Sequence, residues 1–185
     1  VKKAAFAAFG VAAIAGLAVA LTTSLWLLVV GVAAIAAGWF YTGGSRPYGY
    51  MGLGEVFVFV FFGLVATVGT TYAATETITR LSIVMGAAAG ALACALLVIN
   101  NLRDIPTDRD VGKRTLAVRL GDHRTRWFYV GLLGLAFVLA VVAAFDRSWV
   151  LIALLSLPLA AVPSKRVLAG AVGMDLIPVL GETGR

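Results

Sequence analysis

The chain has 185 residues, of which 61% are hydrophobic and 13% charged, with a mean hydropathy of +0.98 and a net charge of +6. Soluble globular domains are seldom this apolar, so the composition excludes that class and indicates an integral membrane protein. Its 15 basic residues fall in short loops between apolar stretches and form no separate basic domain, which argues against a nucleic-acid partner. A single cysteine, Cys94, excludes an intramolecular disulfide.

Six apolar stretches, the last of them short, predict transmembrane helices. In chain order they are Ala4–Leu21, Leu25–Tyr41, Leu53–Tyr72, Leu81–Asn100, Trp127–Phe145 and Trp149–Val162. The predicted fold class is therefore all-α, a multi-span transmembrane helix bundle that forms a single domain over residues 1–185. Gly86 and Gly90 are four residues apart, a spacing that permits close helix approach and favours packing within the bundle over dimerisation.

The basic residues predict how these helices are oriented. With the N-terminus in the cytoplasm, only Arg80 and Arg147 lie on the opposite face. The cytoplasmic face then carries thirteen basic residues, namely Lys2, Lys3, Arg46, the seven from Arg103 to Arg126, Lys165, Arg166 and Arg185. This asymmetry follows the positive-inside rule and predicts that the loops around Arg46 and Asp104 share the cytoplasmic mouth of the bundle.

One dense polar run, residues 100–115, follows the fourth apolar stretch. Asp104, Asp108 and Asp110 are interleaved there with lysines and arginines, a composition that suits a divalent cation together with a multiply charged anion. Mg²⁺ fits best, because it is commonly held by one or two carboxylates and by substrate phosphates. Asp110 is either a third ligand or a partner in a local ion pair with its basic neighbours.

Local geometry adds detail to this run. Asn100 and Asp104 are four residues apart and therefore share a helix face. Pro106 disfavours helical backbone at Ile105, so the helix is expected to end or kink there, with Asp108 on the following turn.

A second polar segment, residues 41–55, joins the second and third apolar stretches. Its five glycines let the backbone turn tightly and approach a ligand, and Arg46 offers a planar fork for phosphate oxygens. The alternative is a plain interhelical turn with tyrosines at the membrane interface. Glu55, which opens an otherwise apolar helix, is expected to have a polar partner.

Other polar features favour structural roles. Gly112 and Lys113 imitate the end of a phosphate-binding P-loop, but the required upstream glycine position is Thr107. His123 has no second histidine or cysteine nearby, which favours a surface position over metal binding. Asp175 and Glu182 are placed in a C-terminal loop and are given no catalytic role.

Three strings carry a resemblance to a known family. They are Tyr-Thr-Gly-Gly-x-Arg-Pro-Tyr-Gly-Tyr-x-Gly-Leu-Gly-Glu from Tyr41, Asn-Asn-x-Arg-Asp-x-x-x-Asp-x-x-x-Gly-Lys from Asn100, and Leu-Ile-Pro-Val-Leu-Gly-Glu-Thr-Gly-Arg from Leu176. With these strings the whole chain resembles the UbiA superfamily of intramembrane prenyltransferases. Within that superfamily it most resembles the 1,4-dihydroxy-2-naphthoate polyprenyltransferase branch of menaquinone biosynthesis.

The resemblance implies transfer of a polyprenyl chain from its diphosphate to 1,4-dihydroxy-2-naphthoate, with loss of the acceptor's carboxylate. Asp104 and Asp108 match the family's second aspartate motif, which implies that they hold Mg²⁺. Its diphosphate-binding positions are matched by Tyr41, Arg46, Asn100 and Lys113. The resemblance also implies that Arg46 acts in catalysis together with Asp104 and Asp108. The implied setting is a bacterial plasma membrane with the active-site loops facing the cytoplasm.

The chain departs from the family at one point. The family's first aspartate motif is not found in these 185 residues, and the six apolar stretches match the third to eighth of its nine helices. We therefore expect an internal part of a longer protein, with the first two helices and the last one missing, that is inactive alone. Two alternatives to this function stay open. One is a related prenyltransferase that uses 4-hydroxybenzoate, homogentisate or a chlorophyll precursor as acceptor, and the other is a membrane transporter.

Overall fold

The computed structural model describes residues 2–44 and 47–184, so Val1, Ser45, Arg46 and Arg185 lie outside the described residues. Regular structure in the described residues is entirely helical, which confirms the all-α prediction. Five helices there have the length and apolarity to cross a membrane, and the protein is an integral membrane protein. The remaining predicted span forms a helix of 17 residues, at the lower end of the range that crosses a bilayer.

We number the helices α1 to α9 in chain order. Four spans precede the polar run, and they are α1 (Lys2–Thr22), α2 (Trp26–Thr42), α3 (Gly54–Thr75) and α4 (Arg80–Arg103). Two short helices follow α4, and they are α5 (Ile105–Asp110) and α6 (Leu116–Leu120). The remaining helices are α7 (Asp122–Ala144), α8 (Ser148–Leu168) and the short α9 (Leu176–Thr183).

Two predicted helix ends were wrong by several residues. α7 begins at Asp122 instead of Trp127, because Asp122 and Arg126 form an ion pair one turn apart and extend the helix into the polar region. α8 continues past Val162 to Leu168, and Pro163 lies buried inside it. Proline is tolerated in membrane helices where neighbouring helices and local adjustments satisfy the freed carbonyl. Hydropathy alone made both predicted spans too short, α7 at its start and α8 at its end.

Helix α4 forms the centre of the bundle. Its buried residues are mostly small or aliphatic, including Ala91, Ala95, Val98 and Ile99, and they pack against α3 on one side and α7 on the other. A capping box opens the helix, in which Thr79 Oγ1 accepts from the Ser82 amide at 3.0 Å and Ser82 Oγ accepts from the Thr79 amide. The other helices are thus arranged around one rigid element.

Glycines set the distance between α3 and α4. A Cβ added at Gly63 would lie 2.4 Å from the Gly90 Cα and 2.6 Å from the Gly86 carbonyl oxygen, so the two backbones touch. The facing segment of α3, Phe59–Val65, is π-helical. Close packing at Gly86 and Gly90 within the bundle is therefore confirmed, and Gly63 is its partner.

Polar contacts tie the ends of the helices together on both faces. Arg80 pairs with Asp146 at 3.3 Å on the face opposite the polar loops. On the loop face, buried Arg126 donates to the carbonyl oxygens of Val167 and Ala171, which fixes α7 to the end of α8. Both contacts are consistent with spans that run in alternating directions through the bundle.

Helix α9 turns back along the bundle from the loop face. Tyr129 and Thr183 share a hydrogen bond of 2.7 Å, and Glu182 pairs with Arg166 at 2.9 Å. The placement of Glu182 in a loop was wrong, because Leu176 and Val179 are buried against the bundle and keep this segment helical.

We expect Gly63→Ala to destabilise the protein by about 1–3 kcal/mol, the usual cost of inserting a methyl group into a packed interface. The matched control is Gly69→Ala in the same helix, where an added Cβ meets no atom within 4 Å. That substitution should be neutral or slightly stabilising, since alanine favours helix more than glycine does. Thermal unfolding in detergent measures both, and equal stability of the two variants would contradict the close contact.

Candidate functional site

The two polar segments meet at one end of the bundle. The Arg114 amide donates to the Tyr50 carbonyl oxygen at 2.9 Å, and Arg119 Nη2 donates to the Met51 carbonyl oxygen at 3.0 Å. The Lys113 ammonium lies 5.2 Å from the centre of the Tyr50 ring, within cation–π range. The loop after α2 and the loop after α5 therefore form one surface.

A glycine is required where these loops touch. Gly52 has a φ of +77°, and a Cβ there would lie 2.8 Å from Arg119 Nε. Only glycine adopts this backbone conformation without strain and leaves room for the guanidinium. The glycines of this segment were predicted to allow close approach to a ligand, whereas Gly52 allows close approach of the other loop.

Asp104 lies at the end of α4, where its amide donates to the Asn100 carbonyl oxygen at 3.1 Å. Arg103 donates to its carboxylate twice, from Nε at 2.7 Å and from Nη2 at 2.9 Å. These hydrogen bonds hold the pKa of the Asp104 carboxyl below its usual value. Asp104 is therefore ionised at neutral pH and available to a cation.

Asp108 follows one helical turn later, since its amide donates to the Asp104 carbonyl oxygen at 2.8 Å. Its side chain is only 9% exposed. One oxygen, Oδ1, accepts from Lys113 Nζ at 3.0 Å, while Oδ2 is buried and has no partner among the described residues. An unpartnered buried carboxylate oxygen is costly, so Oδ2 is a ready ligand atom.

The prediction that the helix breaks near Pro106 is correct, but Asp108 does not lie on a turn. α4 ends at Arg103, and α5 begins at Ile105 with Pro106 in its first turn. Proline fits that position because the first amides of a helix have no intrahelical acceptor and the fixed φ is already helical. Asp108 thus belongs to α5.

The donor set fits a small hard cation. Carboxylate oxygens are the ligands that Mg²⁺ prefers, and Asp108 Oδ2 has no partner in the described part of the chain. No group of three or more His, Cys, Asp or Glu able to hold a metal occurs in residues 2–44 and 47–184. The two carboxylates would therefore need phosphate oxygens or water to complete a shell, as Mg²⁺ sites commonly do.

Tyr41 ends α2 beside this site. Its ring lies against the backbone of the next segment, 3.2 Å from a Cβ added at Gly49 and 3.7 Å from one added at Gly54. The ring meets Tyr48 edge-on at 5.5 Å. Tyr41 therefore faces the junction between the loop and α3.

Glu55 has the polar partner expected of it, but sequence reasoning did not name that residue. Asn101 Nδ2 donates to Glu55 Oε1 at 2.9 Å, and both side chains are buried. The two adjacent asparagines, Asn100 and Asn101, were the sequence feature that could have indicated the partner of Glu55. Adjacent helical residues point about 100° apart, so only one of the two can face α3. Glu55 Oε2 is buried without a partner among the described residues.

The other predicted residues are placed as follows. Arg46 lies outside the described residues, and Asn100 is half-buried on the last turn of α4. Asp110 is exposed and has no ion-pair partner within the described ranges, which removes support for a local ion pair. His123 is exposed, consistent with a surface position.

An apolar cavity of about 720 Å³ lies below Tyr41, between α1, α2 and α3. Tyr48 stacks on Phe57 at 3.8 Å and donates to the Ala37 carbonyl oxygen at 2.6 Å, and burial raises the pKa of its phenol. The cavity is lined by Phe9, Ala34, Ala37, Gly38, Tyr41, Tyr48, Phe57, Val58, Phe61, Phe62, Val65 and Ala66. Only one face of α3 contributes, since Val56 is 57% exposed and Phe59 packs towards the core.

The sequence of this chain is similar to those of known proteins. Residues 1–171 match the model of the UbiA prenyltransferase family. The chain is 49% identical to the 1,4-dihydroxy-2-naphthoate octaprenyltransferase of Mycobacterium tuberculosis and 48% identical to that of Mycobacterium leprae, over all of this chain and 63% of each relative. The Escherichia coli enzyme of that name is 40% identical over 84% of this chain and 52% of its own length.

No solved structure gives a significant match. The chain spans 63% of the length of its two mycobacterial relatives. The family model covers most of the chain, including both loops of the site and all six spans. The chain therefore belongs to the UbiA prenyltransferase family.

Proposed function

We propose that this chain forms the greater part of an enzyme that transfers a polyprenyl group from its diphosphate to 1,4-dihydroxy-2-naphthoate in menaquinone biosynthesis. The observation that carries the proposal is Asp108, which is buried, is paired with Lys113 and has one carboxylate oxygen without a partner within residues 2–44 and 47–184. It lies at the same end of the bundle as Tyr41, which lines the large apolar cavity. A charged head group and an apolar tail thus have adjacent binding regions. The acceptor is taken from the names of the relatives.

Asp104 and Asp108 would hold Mg²⁺, which when bound to the diphosphate neutralises charge on the leaving group. The carboxylates of both residues are paired with basic side chains in this structure, with Arg103 and Lys113 respectively. These cations lie where negative charge accumulates as the allylic carbon–oxygen bond breaks. They would stabilise the departing diphosphate.

Diphosphate binding is assigned to Tyr41, Arg46, Asn100 and Lys113. The assignment of diphosphate binding is best supported for Lys113, because its ammonium is held between Asp108 and the Tyr50 ring where the two loops meet. The apolar cavity would take the first part of the isoprenoid tail and keep water from the reacting carbon. Its aromatic wall is fixed by stacking of Tyr48 on Phe57.

The location proposed is a bacterial plasma membrane with both loops facing the cytoplasm. The proposal follows from the basic residues, thirteen of which fall on the loop side and two on the other. Substrate diphosphates and Mg²⁺ are then available to the site from the cytoplasm.

Transfer of radiolabelled prenyl groups tests the function directly. The protein for these assays is a full-length version, meaning a polypeptide of the relatives' length that contains these residues. We expect Mg²⁺-dependent transfer to 1,4-dihydroxy-2-naphthoate and much less transfer to 4-hydroxybenzoate or homogentisate. Preferred transfer to another aromatic acceptor would retain the reaction and overturn the assigned substrate.

Asp104→Ala and Asp108→Ala should each lower transfer by about a hundredfold or more, a loss of roughly 2.7 kcal/mol in transition-state stabilisation. Membrane insertion should be unchanged. Asp110→Ala is the matched control, since Asp110 is exposed in the same helix, and it should lower the rate by a few-fold at most. Near-normal turnover by the Asp104 and Asp108 variants would refute the assignment, and an equal loss in the control would make Asp110 a ligand.

Arg46→Lys keeps the positive charge and removes the planar fork, so it should only partly preserve a bidentate phosphate contact. Steady-state kinetics should show a raised KM for the prenyl diphosphate and little change in the KM for the acceptor. The opposite pattern would place Arg46 at the acceptor's carboxylate.

The 185 residues expressed alone should insert with Lys113 accessible from the cytoplasm and should transfer no prenyl group. The orientation follows from the unequal distribution of basic residues between the two faces. The lack of activity follows because these residues contain one of the family's two aspartate motifs. A cysteine placed at position 113 and labelled with a membrane-impermeant reagent tests the first expectation, and the transfer assay tests the second. Labelling from outside intact cells would overturn the topology.

A further inference from the structure

A second cavity lies on the cytoplasmic side of Lys113, and its volume is about 340 Å³. This is at the lower end of the range of small-ligand sites, which is roughly 300–1,000 Å³. The residues that line it are Arg109, Gly112, Lys113, Arg114, Val118 and Arg119. Neither Asp104 nor Asp108 belongs to this lining, so the cavity is separate from the carboxylate site.

The cavity has a large excess of positive charge. Four of its six lining residues are basic, and none is acidic. Lys113 is neutralised by Asp108, but Arg109, Arg114 and Arg119 have no ion-pair partner in the described part of the chain. Three arginines around one small concave space repel each other and favour an anion between them.

Arg119 is held in place without being neutralised. Its Nε donates to the Arg114 carbonyl oxygen at 3.2 Å, and its Nη2 donates to the Met51 carbonyl oxygen at 3.0 Å. Carbonyl acceptors orient the guanidinium but leave its full charge, and Gly52 leaves room for it. The positive-inside rule explains why arginines lie on this face, but it does not require that the Arg119 guanidinium be held by hydrogen bonds. A preorganised guanidinium is typical of phosphate recognition.

We propose that this cavity is a second anion site, which binds a phosphate-bearing ligand next to the carboxylate site without a metal ion. The ligand is either a free diphosphate or the headgroup of an anionic lipid, which present the same phosphate oxygens. The site is built from this chain alone and does not rest on the proposed enzymatic function.

The test is equilibrium binding of radiolabelled inorganic diphosphate to the full-length version in phosphatidylcholine vesicles, with a chelator present to remove divalent cations. We expect saturable binding that Arg114→Gln weakens by about tenfold or more, the usual effect of losing a charge-assisted hydrogen bond. Arg119→Gln should weaken binding as much. The side chain of Arg119 also joins the two loops, so its loss could act through the loop contact. Arg114 contacts the other loop only through its backbone, so Arg114→Gln is the decisive variant.

Arg124→Gln is the matched control, because Arg124 is an exposed arginine on the same face that does not line the cavity. Binding should be unchanged in this variant. An equal loss in Arg124→Gln would show diffuse attraction to a basic surface and overturn the proposal, as would the absence of saturable binding.

A second arm identifies the source of the phosphate. In vesicles containing phosphatidylglycerol, loss of diphosphate binding would identify the lipid headgroup as the occupant. Undiminished binding would identify the soluble anion, and both results support the site. Failure of the enzymatic proposal would appear separately, as an absence of Mg²⁺-dependent prenyl transfer by the unsubstituted protein.

Discussion

A carboxylate at the edge of the hydrocarbon must be paired, and the ion pair between Asp108 and Lys113 is the contact on which the site depends. Asp108 is buried, and its Oδ1 lies 3.0 Å from the lysine ammonium. The same ammonium lies over the Tyr50 ring, so one interaction neutralises the acid and joins the two loops. The pair uses only one carboxylate oxygen. The other has no partner among the described residues, so the pair is compatible with a binding site.

The bundle beneath the loops is built to place that pair above an apolar space. Direct contact of Gly63 with Gly90 brings α3 against α4, and this positions Glu55 to meet Asn101 near the ends of both helices. The opposite face of α3 then contributes Phe57 and Phe61 to the apolar cavity. One helix thus packs on α4 through Gly63 and Phe59 and lines the cavity with Phe57 and Phe61. A methyl group at Gly63 would disturb both regions at once.

Electrostatics divides the loop face into two regions with different chemistry. Around Asp104 and Asp108 each acid has its own basic partner, an arrangement suited to a cation shared with phosphate oxygens. On the other side of Lys113, arginines line a cavity without acids. We propose that the first region binds a diphosphate through a metal ion and that the second binds phosphate directly. A chelator would therefore distinguish the two.

The sequence by itself determined the helical class, the approximate spans and the two polar segments that meet at one end of the bundle, and it predicts the orientation of the spans. These depend on local hydropathy and charge, because lipid accepts any sufficiently apolar helix and excludes unpaired charge. Residue roles at Asp104, Asp108 and Lys113 came from motif resemblance and stay predictions. Only the tertiary structure decided that Asn101, not Asn100, meets Glu55, that Arg103 holds Asp104, and that Arg119 reaches Met51. Such contacts depend on the rotation of each helix about its axis and on the path of each loop. Neither is encoded in local composition, since both are set by packing between residues far apart in the chain.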